Sequence, residues 1–151
     1  MPSDSGTIWL LGDVIRYEAS TELPGWEVPL ADVLVIGECT RPGPSVRDFV
    51  LCFGTRGGGW HEASCYAAGC DDFLRLVSSR LGSQLTHQLQ LTFDFADRIL
   101  WPPEAVGHPL FKLVPDPDPT MGKRLVSLRW RVRKEVFSDE VMAILNGPTT
   151  K

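Results

Sequence analysis

"QLQLTFDFA", residues 88–96, alternates with a period of two: Leu89, Leu91, Phe93 and Phe95 fall on one side, and Gln88, Gln90, Thr92 and Asp94 on the other. Successive side chains of a pleated chain point to opposite sides, so this pattern predicts a β-strand with one dry face and one wet face. "VSLRWRVR" (126–133) repeats it, with Val126, Leu128, Trp130 and Val132 opposing Ser127, Arg129, Arg131 and Arg133. Parallel strands covered by helices on both faces read instead as continuous apolar runs. The two segments therefore predict antiparallel sheet with a solvated side.

Upstream, "TIWLLGDVIRYEA" (7–19), "DVLVIGECT" (32–40), "DFVLCFG" (48–54) and "GWHEASCYA" (59–67) are rich in β-branched and aromatic residues. The third is apolar on both faces, which places it centrally. Gly12 interrupts the first as a bulge or as a tight hairpin turn with Asp13. "RPGPS" (41–45) and "TRGGG" (55–59) carry the turn chemistry that joins sequential strands. "CDDFLRLVSSRLG" (70–82) reads as a helix, with Phe73, Leu76, Val77 and Leu81 on one stripe and Asp71 and Asp72 where the helix dipole favours anions. "SDEVMAILNG" (138–147) reads as a second, with Ser138 as N-cap and Asn146-Gly147 as stop signal. "LWPPEAVGHPLFKLVPDPDPT" (100–120), with six prolines, reads mostly as an extended surface loop with a short edge strand at Leu110–Val114. The fold class expected is α+β, mainly antiparallel sheet of six to seven strands in a meander, with helices at about 70–82 and 138–147.

At 151 residues the chain fits a single domain, 1–151, that buries roughly two-thirds of its unfolded surface. Its 43% hydrophobic and 23% charged residues are those of an ordinary globular domain, and five Trp with seven Phe predict an aromatic core. The opening "MPSDSGTIWLLGDVIRYE" lacks a cationic start, and its apolar run ends after four residues, too short for a secretory signal. No stretch approaches the length of a membrane span. A cytoplasmic protein with reduced Cys39, Cys52, Cys65 and Cys70 is expected.

The run "VPLADVLVIGECTRPGPSVRDFVLCFGTRGGGWHEASCYAAGCDDFLRLVSSRLG" (28–82) resembles the second half of bacterial pleckstrin-homology-like domains. In that family a strand entry is followed by a hairpin strand, a strand ending in small polar residues, and an amphipathic helix plugging the sheet. The resemblance covers about a third of the chain, and strands continue here after the first helix. It implies a barrel or half-barrel and a binding or scaffolding module, without specifying a ligand.

Chemistry has few footholds. His61, Cys65 and Cys70 are residue types that zinc accepts, but their spacing is not that of paired zinc ligands, so no metal is expected. No G-x-S-x-G elbow is present, and Cys70 stands beside Asp71 and Asp72, which raise a thiol pKa rather than lower it. "GTRGGGWH" (54–61) leads into another strand instead of a helix, which makes it a hairpin turn and not a phosphate loop. Asp94, Asp97 and Glu104 offer carboxylates with no sign that they converge. No catalytic residue and no cofactor are assigned, and the balance points away from an enzyme. The alternative is a small-ligand binder or enzyme using His61, Glu62 and the acids of 94–104.

Charge is segregated. "KRLVSLRWRVRK" (123–134) holds six of the fifteen Lys and Arg, leaving nine cations against nineteen anions elsewhere, a balance of −10 in a chain whose net charge is −4. Alternation sets Arg129, Arg131 and Arg133 in a row about 7 Å apart, which is either a contact surface or the wet face of a strand paired with acids. An acidic protein gains no steering toward nucleic acid, so nucleic acid is not the expected partner. The expected function is a non-catalytic binding or scaffolding module that meets a protein partner or a second copy of itself. Its surface is expected at Arg129, Arg131 and Arg133 and at the proline-rich loop with Trp101 and Phe111, where the competing reading for the two aromatics is a lid packed on the sheet.

Overall fold

The computed structural model describes residues 5–20, 23–40, 49–87, 96–115 and 133–146, and at 113–115 and 133–136 the backbone alone. Gly12, at φ +63°, makes the first segment a hairpin: β1 (Thr7–Leu11) turns back into β2 (Val14–Glu18), with Leu11 opposite Val14. β3 (Trp26–Pro29) pairs with β2, Tyr17 opposite Trp26, and completes a three-stranded antiparallel sheet. Only four residues long and closed by a proline, β3 is too short to show an alternation in the sequence.

A 3₁₀ turn at Leu30–Asp32 leads into the second sheet, formed by β4 (Val33–Thr40), β5 (Phe49–Thr55), β6 (Trp60–Ser64) and β7 (Ala96–Trp101) in the order β6-β5-β4-β7. All seven residues of β5 are buried, as its two apolar faces predict. The glycine-rich loop is a hairpin turn, with Gly57 and Gly58 at φ +87° and +89° and the Thr55 N–H donating to the Gly59 carbonyl at 2.9 Å. β7 joins beside β4 rather than β6, which corrects the simple meander: β4 is also buried on both faces and takes a neighbour on each side.

One face of this sheet is covered by the first sheet and by α1 (Cys70–Leu81). Trp26 lies on Phe53 at 5.2 Å between ring centroids, and Phe53 lies on Phe73 of α1 at 6.0 Å. The buried stripe of α1 is Phe73, Leu74 and Val77 with Cys70 and Ser78, while Leu76 is 48% exposed, contrary to the sequence expectation. At 3.6 residues per turn Leu76 falls outside that stripe. The Ile8 N–H donates to the Ala68 carbonyl and the Ala68 N–H to that of Gly6, both at 3.0 Å, closing the outer edge of β1.

The opposite face is covered by Leu110 and by α2 (Asp139–Asn146), with β8 (Phe111–Pro115) and β9 (Arg133–Phe137) as a two-stranded antiparallel sheet. Ser138 caps α2, its Oγ accepting the Val141 N–H at 3.2 Å, as predicted. Residues 102–110 are a docked strap rather than a free loop. Ile99 donates its N–H to the His108 carbonyl at 2.7 Å, Gly107 donates to the Ile99 carbonyl at 3.0 Å, and the outer edge of β7 is thereby closed. Leu110, 0% exposed, presses onto Gly37, where an added Cβ would stand 2.6 Å from both Leu110 Cδ atoms. Gly37→Ala is therefore expected to destabilise by about 1–3 kcal/mol and Leu110→Ala by about 2–5 kcal/mol. In urea unfolding the double substitution should cost less than the sum of the two, because each relieves the defect of the other.

The class is thus α+β with antiparallel sheets of three, four and two strands, more than the six to seven strands expected. Among the described residues these sheets do not close into one barrel. The expected strand 88–96 meets the described residues only at Ala96, where β7 begins, and the expected strand 126–133 only at Arg133, which opens β9; the rest of both lies outside them. Among the described residues no helix is long and apolar enough to cross a membrane.

Candidate functional site

β3 and β6 are each the last strand of their sheet, and the fold brings these two edges together. Trp26 Nε1 donates to the Glu62 carbonyl at 2.9 Å, so an indole of the first sheet caps a backbone group on the edge of the second. The same indole lies against the His61 ring at 5.1 Å. On the other face of β6, Trp60 packs against Phe111 at 5.5 Å and Phe137 at 5.0 Å, and its Nε1 donates to Glu62 Oε2 at 3.4 Å.

An open cleft of about 550 Å³ lies here, walled by Leu23–Trp26 on one side and Trp60–Glu62 on the other. A second depression of about 380 Å³ shares Gly25 and Trp26 with it and continues past Arg16, Glu18 and Glu27, where Arg16 pairs with Glu27. The two form one trough along β3 with an aromatic floor at Trp26.

Partial burial pushes the His61 pKa below its ordinary value. The sign follows: the unfolded chain binds the proton more readily, so this contribution to stability is present above about pH 6.5 and declines as pH falls below it. Titrating the His61 ring protons by NMR should give a midpoint below that of the unfolded chain. At neutral pH His61 then offers the trough an uncharged ring.

The residues expected to join His61 in a reaction do not reach it. β5 and β4 separate β6 from β7, which puts Asp97 roughly 14 Å away in the cross-strand direction alone, and its register opposite Ser64 adds three residues along the strand. Asp97 is also engaged elsewhere, its Oδ1 accepting the N–H groups of Leu110 at 2.5 Å and Phe111 at 3.1 Å. Glu104 is exposed in a 3₁₀ turn beyond β7, and Asp94 lies outside the described residues. Cys70 is buried at the start of α1, and burial together with the Asp71 charge pushes its thiol up to about 12, the wrong direction for a nucleophile. Among the described residues no group of three or more His, Cys, Asp or Glu is placed to hold a metal ion.

Of the expected contact residues, Trp101 is half-buried at the end of β7 and packs on the core. Phe111 is half-buried in a stack with Trp60 and Phe137. Arg133 sits opposite Pro115 in the two-stranded sheet, and Arg129 and Arg131 lie outside the described residues. The sequence reading passed over Glu38, which is 0% exposed in β4 with its Oε1 2.7 Å from Nδ1 of His87. Its signal was present: a lone acid inside the apolar run "VLVIGECT". Trp26 was likewise missed, lying in a segment assigned to no element. Comparison with family models, with curated proteins and with solved structures finds no match.

Proposed function

We propose that the chain is a cytoplasmic, non-catalytic binding module that engages an extended segment of a protein partner in the trough along β3. One observation carries this reading: two adjoining open depressions share Gly25 and Trp26, the first between the edges of β3 and β6 and the second over the paired strands β2 and β3, a shape suited to a linear guest rather than to an enclosed small molecule. Peptide recognition commonly uses such aromatic troughs, since flat rings bring large contact area at little entropic cost. The separation of His61 from the acids of 94–104 supports binding over catalysis. Within residues 28–82, three antiparallel strands followed by an amphipathic helix support the pleckstrin-homology-like reading. Arg129, Arg131 and Arg133 stay in this proposal as a contact for an acidic partner.

The test begins with peptides selected from a display library on the immobilised full chain. The double substitution His61→Ala and Glu62→Ala alters the wall of the trough while keeping the Glu62 carbonyl that Trp26 caps. Affinity for the selected peptides should fall about tenfold, or about 1.4 kcal/mol, in a variant that still unfolds cooperatively. Equal affinity for both proteins would remove the trough as the contact surface.

A further inference from the structure

Away from the trough, the second sheet buries two sulfurs against each other. Cys39 on β4 is 1% exposed and Cys52 on β5 is 0% exposed. Cys39 stands opposite Val50 and Cys52 opposite Gly37, so the two side chains leave the same face on a diagonal between neighbouring strands. The Sγ atoms are 3.5 Å apart. A disulfide needs about 2.05 Å between sulfurs and Cα atoms within about 6.8 Å, whereas ladder diagonals stand about 7–8 Å apart, so closure asks for a sulfur shift of about 1.5 Å and a local approach of β4 and β5. Of the other two cysteines, Cys70 opens α1, while Cys65 follows the end of β6 near enough to Cys52 to raise the pKa of that thiol.

We propose that Cys39 and Cys52 are a disulfide site, closed by a small-molecule disulfide such as oxidised glutathione and reopened by a dithiol. One cysteine, as thiolate, attacks the reagent and forms a mixed disulfide, releasing one reduced thiol. The second cysteine then attacks the protein sulfur of that intermediate and releases the other. Two S–H bonds are lost, one S–S bond forms between the chains of β4 and β5, and the two electrons and two protons leave on the two molecules of reduced thiol. The contact with Cys39, together with burial, holds the Cys52 thiol well above its ordinary range, so thiolate is scarce in the folded protein. Closure therefore belongs to folding or to transient opening of the sheet, and burial shields the finished bond. The same pair serves as ordinary core thiols in a reducing compartment.

To test this, the reduced and denatured full chain is refolded in a glutathione redox buffer, quenched by alkylation and mapped by mass spectrometry. Of the four cysteines, two should escape alkylation and appear as one linked peptide pair joining Cys39 to Cys52, with a Tm above that of the reduced protein. Four alkylated cysteines, or a link through Cys65 or Cys70, would overturn the assignment. Cys52→Ser should leave its three cysteines alkylated, and loss of two thiols in that variant would count equally against the proposal. Should that variant fail to fold, the wild-type peptide map decides alone.

Discussion

His87→Ala is expected to destabilise the protein by about 3–5 kcal/mol, the range for removing one partner from a buried pair. Glu38 sits in the middle of β4, between Leu51 of β5 and Arg98 of β7, with no exposed surface. Its carboxylate meets His87 Nδ1 at 2.7 Å, and the imidazole also lies 5.1 Å from the ring of Phe49. Alanine removes the hydrogen-bond partner of Glu38 Oε1 from an acid that water does not reach, and it leaves a space beside Phe49. Both effects act in the same direction. An apolar pair of similar volume, Glu38→Met with His87→Phe, should regain most of the loss, because it removes both sides of the buried polar contact together instead of one. Urea unfolding of the two proteins checks this. A loss below about 1 kcal/mol for His87→Ala would show that the pair contributes no more than an exposed one does.

The second large effect is expected at Phe53, where substitution by alanine should cost about 3–5 kcal/mol. Phe53 is 0% exposed and touches Trp26 of the first sheet and Phe73 of α1, so one ring ties three elements together. Its loss differs from an ordinary cavity in one respect. Trp26 rests on Phe53 and also caps the Glu62 carbonyl, so the indole loses its support and the wall of the trough loosens with it. Phe53→Leu, which refills part of the volume, should recover much of the stability but less of the peptide affinity, since an aliphatic side chain does not hold the indole at the same tilt. Unfolding midpoints and peptide affinities measured on both variants separate the two consequences. Parallel recovery of stability and affinity would show that Phe53 acts on the trough only through global stability.

The elements that the sequence shows well are those whose pattern is set by their own burial. β5 is apolar throughout because it is covered on both faces, α1 and α2 carry caps and stripes that local chemistry dictates, and Gly12 marks a turn that only a positive φ allows. Less legible were elements defined by what they touch. β3 is four residues held in register by Tyr17 and Arg16 across the strand pair, and nothing in "WEVP" alone announces it. Residues 102–110 carry the prolines of a surface loop, yet they dock because Asp97 accepts two backbone N–H groups and Leu110 fits the space that Gly37 leaves. The trough is illegible for the same reason. Trp26 and Trp60 belong to different sheets, and only tertiary packing brings the two edges together. His61 was visible as a polar residue in a strand, but its distance from Asp97 depends on a sheet order that places β5 and β4 between them.

The most direct measurement of the trough as a contact surface is the backbone amide NMR spectrum of the full chain titrated with a peptide selected on it. Binding there predicts perturbations concentrated at Leu23–Trp26, Arg16–Ala19 and Trp60–Glu62, with the α1 surface around Leu76 unchanged. Saturable perturbations gathered instead on β8, β9 or α2, with residues 23–26 and 60–62 silent, would contradict it.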